Sequence, residues 1–141
     1  MRYILLSLVL LFSASCSDEF TPIDFEKDVN LPEEYTYEIS TSCFCPIEYI
    51  GPHFLHIRGS QIVDYELLAD GMLQDSAFIS TLTIEAITTR VNSILDQDPV
   101  VSNVETHPIY GFPVSAYFDI SEMIADEEWG FDITNFEVIE D

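Results

Sequence analysis

From Tyr35 to Cys43 the chain alternates: Tyr35, Tyr37, Ile39, Thr41 and Cys43 share one face, and Thr36, Glu38, Ser40 and Ser42 the other. A period of two is that of a β-strand with one buried and one wet side. Residues 53–58 and 61–67 flank Gly59-Ser60, and glycine at the first position of a two-residue loop predicts a type II′ hairpin between two more strands. The period then changes. Ile84, Ile87, Val91, Ile94 and Leu95 recur at helical spacing, behind Thr83 as a sound N-cap. Leu82 and Ile87 are placed to staple the helix entry, Glu85 suits the dipole of the first turn, and the stretch from Asp96 to Pro99 stops the helix. Residues 100–106, 114–120 and 129–139 read as further strands. In the last of these, Phe136 and Val138 switch parity relative to Trp129, Phe131 and Ile133, which predicts a bulge near Asn135. The expected fold class is α+β: a single antiparallel sheet of about five or six strands with one helix, about 83–96, packed on one face.

The N-terminal stretch has a different character. Arg2 precedes an apolar run from Tyr3 to Phe12, broken only by Ser7, and Ser13-Ala14-Ser15 lead into Cys16. A run of about 10 residues is too short to cross a hydrocarbon core of roughly 30 Å as a helix, so residues 1–15 read as a cleaved export signal. Small residues followed at once by Cys16 resemble the lipobox of bacterial lipoproteins, with Ser13 where the usual motif has leucine. The resemblance implies acylation of Cys16 and a membrane partner reached through a lipid anchor. Ser17-Asp18-Glu19 is similar to the acidic signal that sends lipoproteins to the cell surface in some Gram-negative bacteria, which implies the outer membrane and surface exposure. Residues 16–32, with scattered acids and Pro22 and Pro32, have no sustained period and read as an acidic tether. Residues 33–141 then form a single domain, since the length allows one core and not two.

Composition sharpens the choice of partners. The chain of 141 residues carries 26 acidic and 4 basic side chains, a formal charge of −22. Such a field repels nucleic acid and anionic lipid headgroups, and leaves divalent cations or a basic protein as attractable partners. Hydrophobic residues make up 48% of the chain, which argues for a folded core rather than disorder.

With Cys16 taken by lipid, Cys43 and Cys45 remain, and an even remainder in an exported chain suggests a disulfide. Residues i and i+2 of an extended strand lie about 6.6 Å apart, near the upper limit for a bridge; a bend there would close the distance, and Pro46 supports one. A free thiol pair and metal ligation stay open as alternatives. His53 and His56 lie on opposite faces of a strand, where either one with Cys43 and Cys45 would make a zinc site that matches no known spacing. Asp119, Glu122, Asp126 and Glu127 are the weak calcium candidates of an acidic connection that lacks the alternating ligands and central glycine of a calcium loop. No serine sits in a nucleophile turn, and the histidines have no flanking signature. Tyr110-Gly111-Phe112-Pro113 reads as a turn whose Phe112 plugs the core.

Tyr35-Thr36-Tyr37, Cys43-Phe44-Cys45-Pro46, the Thr83-Ile84 helix start, Tyr110-Gly111-Phe112-Pro113, Asp119 and Asp126-Glu127-Glu128 occur in that order. This arrangement resembles a family of small exported bacterial proteins, many of them lipoproteins, that carry a domain of unknown function. The resemblance implies one compact domain over roughly 33–140 and brings no activity with it. The expected protein is therefore a non-enzymatic, lipid-anchored envelope module without a cofactor, whose partner is an unknown protein or a divalent cation. The alternatives are a thiol–disulfide or metal-dependent activity at Cys43 and Cys45, and a calcium-binding module in the acidic loop 119–132.

Overall fold

The structure is a computed structural model that describes residues 29–124 and 126–140. Cys16, the expected signal segment and the expected tether up to residue 28 lie outside the described residues. The elements run β1 (Glu34–Ser42), α1 (Ile47–Ile50), β2 (His53–Arg58), β3 (Gln61–Leu67), α2 (Ser76–Ser80), α3 (Ile84–Leu95), β4 (Val101–Thr106), β5 (Pro113–Asp119) and β6 (Trp129–Val138). The six strands form one antiparallel sheet in the order β3-β2-β1-β6-β5-β4. The first and last strands are thus central neighbours. Each half of the chain is a three-strand meander, and the two meanders join along β1 and β6.

Core residues follow the predicted parity. Tyr35, Tyr37, Ile39 and Thr41 of β1 are buried, as are His53, Leu55 and Ile57 of β2 and Trp129, Phe131 and Ile133 of β6. The bulge is present: Thr36 pairs with Glu137 but Glu38 with Thr134, and Asn135 takes φ 52°. The extra residue swings Phe136 back onto the core side, with its ring 5.4 Å from Tyr35 and 4.9 Å from Phe112.

Two expectations are corrected. The fold is not a sheet with one helix packed on a face. It is sheet-dominated, with three short helices of four, five and twelve residues among the described ones. The first two are too short for a 3.6-residue period to register in the sequence. The second opens on Asp75, whose Oδ1 accepts from the Phe78 amide at 3.0 Å. The cover over the buried sheet face is shared. Ile84, Ile87, Val91 and Ile94 of α3 join Leu82 and Phe112 in the core, with Val29, Leu31, Phe78 and Tyr110 packed at its border. The second correction concerns the β2–β3 hairpin. Gly59 and Ser60 have φ of 54° and 61°, so the turn is type I′ rather than II′. Both central residues are left-handed because that twist matches the flanking strands.

The opposite sheet face is polar. The Glu34 carboxylate accepts from His56 Nε2 at 2.7 Å and from Arg58 Nε and Nη2 at 2.8 and 2.7 Å. Those bonds, the arginine's first, lower its pKa to about 2. Among the described residues no helix is long and apolar enough to cross a membrane.

Candidate functional site

Beyond Ser42 the central strand β1 leaves the sheet and bends through Cys43-Phe44-Cys45-Pro46 into α1. The bend brings the two cysteine sulfurs to disulfide-bonding distance, with Cα atoms 5.4 Å apart. Tyr49 fastens the far side of the loop. Its carbonyl accepts from Thr41 Oγ1 at 2.6 Å and from His53 Nε2 at 3.2 Å. Its hydroxyl donates to Asp75 Oδ2 at 3.3 Å, and its ring meets Phe78 edge-on at 4.7 Å. Desolvation first, then the Asp75 charge, raises the Tyr49 pKa and keeps the phenol protonated as a donor.

Within this frame Phe44 is 84% exposed. Cys43 and Cys45 stand two residues apart and turn toward each other, so the side chain between them points away. Ile47, just beyond, and Tyr117 of β5 are exposed as well. Two shallow concavities flank Phe44. One of about 280 Å³ is lined by Cys43, Phe44, Cys45 and Pro46. The other, about 300 Å³, is lined by Ser42, Cys43, Phe44, Tyr117, Asp126 and Glu128. The surface is therefore an apolar tip with an acidic rim.

Behind the loop lies a smaller cavity of about 100 Å³ that touches Thr41, Cys43, Phe78, Leu82 and Trp129. Arg90 lines it as well, its guanidinium 4.0 Å from the centre of the Trp129 ring. Partial desolvation of the guanidinium lowers its pKa.

The other expected positions are dispersed. His53 is fully buried on the core face, and burial lowers its pKa. Because the Tyr49 carbonyl can only accept, His53 Nε2 carries the proton and Nδ1 accepts from the Tyr65 hydroxyl at 2.9 Å. Both nitrogens are thus occupied by the protein. His56 faces the other way, toward Glu34. The calcium candidates do not converge: Asp119 accepts from the Ser121 amide at 3.3 Å, while Glu122 and Asp126 are exposed. Among the described residues no group of three or more His, Cys, Asp or Glu side chains could hold a metal ion. Phe112 is buried in its turn, held by the bond from the His107 amide to the Phe112 carbonyl at 2.7 Å. Sequence reasoning passed over Phe44, although its place between two cysteines on one strand face already sends it to the opposite side. Nothing in the sequence pairs Arg90 with Trp129.

Across residues 28–138 the sequence matches a family described only as one of unknown function. The chain belongs to DUF6174. The match covers every strand and helix among the described residues, ending on the last residue of β6. It also takes in Val29 and Leu31, which pack against the core at the end of the stretch read as a tether. No curated protein and no solved structure matches the chain.

Proposed function

We propose that this DUF6174 protein is a non-catalytic binding module of the bacterial envelope, carried on a lipid at Cys16. It engages a basic polypeptide partner through the Cys43–Cys45 loop. The observation that carries the reading is Phe44, 84% exposed yet fixed between two cysteines at bonding distance. An aromatic ring held in place by a short cross-link loses little conformational freedom on binding, and such rings anchor interfaces. Asp126 and Glu128 on the rim, together with the chain's charge of −22, favour a partner whose own apolar spot is ringed by lysine or arginine. The lipid restricts the search to partners at the membrane surface, with the outer membrane and its exterior as the expected location.

Two experiments test the parts separately. Mass spectrometry of the mature N-terminus should find diacylglycerol on Cys16, and Cys16→Ser should release the protein from membranes. A photo-crosslinking residue at position 44 should give one discrete protein adduct on intact cells, weakened by high salt. The same residue at exposed position 109 should give none. Equal adducts from both positions, or none from position 44, would remove the loop from the reading.

A further inference from the structure

Among the described residues four buried side-chain polar atoms have no hydrogen-bond partner, and two of them, the Tyr35 hydroxyl and Glu85 Oε2, belong to residues that line the same cleft. The cleft, about 240 Å³, lies away from the Cys43–Cys45 loop. Its walls are the segment 29–33, the tip of the β2–β3 hairpin at Gly59 and Ser60, and the first turn of α3. These walls are tied in place: the Gly59 amide donates to the Glu33 carbonyl at 2.8 Å, and the Asn30 amide donates to the Tyr110 carbonyl at 3.3 Å. Tyr35, only 1% exposed, is the most deeply buried polar side chain of the lining.

An unpartnered buried polar atom forfeits its hydration with nothing in return, and two of them on residues of one cleft call for an explanation. The space greatly exceeds the roughly 30 Å³ that one water fills. Its charge is one-sided. The Glu85 and Glu33 carboxylates only accept, the Tyr35 oxygen can accept as well, and Asn30 and Ser60 add neutral polar groups. The complementary ligand is a cationic group with donors in several directions. A primary ammonium has three N–H donors and a positive charge, and the chain's charge of −22 draws cations to its surface. A divalent metal would need more oxygens than these two carboxylates supply. We infer that the cleft between segment 29–33, the β2–β3 hairpin and α3 binds a primary ammonium group, held by the Glu85 carboxylate and the Tyr35 hydroxyl. Burial, and then the Glu85 charge, raise the pKa of the Tyr35 phenol, in keeping with a carboxylate whose field reaches that oxygen.

A free alkylamine and a lysine side chain both present this ammonium, and the test separates the two sources. The full chain in non-ionic detergent is titrated with n-butylammonium chloride while amide chemical shifts are followed. Saturable shifts at Glu33, Ser60 and Glu85 are expected. Tetramethylammonium chloride at equal concentration, which has no N–H, should leave those amides unmoved. Glu85→Gln should weaken butylammonium about tenfold or more, and Tyr35→Phe about two- to tenfold, the ranges for charged and neutral hydrogen bonds. Tyr35→Phe should leave the thermal midpoint unchanged or raised without amine, since it removes an unpaired buried hydroxyl. Tighter binding of N-acetyl-lysine amide than of butylammonium assigns the site to a polypeptide lysine, and the reverse order assigns it to a free amine. Equal responses to tetramethylammonium and butylammonium, or an undiminished affinity in Glu85→Gln, would overturn the inference in favour of generic screening.

Discussion

The Tyr37 hydroxyl donates to the Leu82 carbonyl at 2.8 Å across 45 residues of sequence, inside the core. The bond ties the central strand β1 to the residue just before Thr83, whose hydroxyl caps α3 by accepting from the Ala86 amide at 3.3 Å. Burial first holds the Tyr37 pKa well above that of an ordinary phenol, so the donor stays protonated across the usable pH range. This contact fixes where α3 begins over the sheet.

Tyr37→Phe keeps the ring and removes only the donor. The buried Leu82 carbonyl then loses its partner, and urea denaturation should register a loss of about 1–3 kcal/mol. An unchanged midpoint would mean that the contact adds nothing net.

His53 gives the fold an acid limit. Its folded pKa is lowered by burial, so the unfolded chain takes up a proton at a higher pH than the folded one. Stability should be complete above the ordinary histidine value of 6.5 and should fall as pH drops below it toward the lowered folded pKa. His53→Gln, which cannot charge, should flatten that slope in unfolding curves taken between about pH 7 and 5, whatever its effect on the plateau. A slope retained in the variant would locate the acid response elsewhere.

Glu34 should titrate far below an ordinary glutamate. Arg58 and His56 lower its carboxyl to about 2 from 4.5, so the stability it contributes is present above 4.5 and lost as pH falls toward 2. Carbon-detected NMR titration should place the Glu34 midpoint near that low value. In Arg58→Ala it should rise toward the ordinary range. A midpoint already near 4.5 in the parent would mean that the paired geometry is not maintained in solution.

Two glycines should differ sharply when replaced by alanine. A Cβ at Gly130 would stand 2.7 Å from the Ala116 carbonyl oxygen and 3.6 Å from the Tyr117 ring, which leaves no room between β5 and β6. Backbone must shift, at a cost of about 1–3 kcal/mol or more. At Gly59 the nearest atom is the flexible Glu33 carboxylate at 3.3 Å, and the penalty is mainly the left-handed φ of 54°, about 1–2 kcal/mol. Thermal melts should rank Gly130→Ala as the more damaging. The reverse order would mean that the sheet yields at this point more easily than the turn.

Cys43 and Cys45 should resist alkylation until reductant is added, as expected for sulfurs at bonding distance. Ready labelling of both in the untreated protein would return the free thiol pair to consideration and remove the constraint on Phe44.

The local elements were legible in the order of residues. Alternation located the strands and their buried faces, helical spacing and Thr83 located α3, and a parity switch located the bulge at Asn135. These follow from neighbours within a few residues, where backbone geometry alone decides which side chains share a face. The turn type at Gly59-Ser60 escaped, because two left-handed residues satisfy the strand twist and only one is glycine. The helices α1 and α2 escaped because a helix of four or five residues has too few turns to repeat. Tertiary structure alone decided which distant residues meet. It set β1 beside β6, put Arg90 over Trp129, joined Tyr37 to Leu82, and left Asp119, Glu122 and Asp126 without a common centre. It also brought Tyr35 and Glu85 to one cleft, 50 positions apart in sequence. Such contacts depend on strand order and on how the whole core closes, and no periodicity within one segment carries that information.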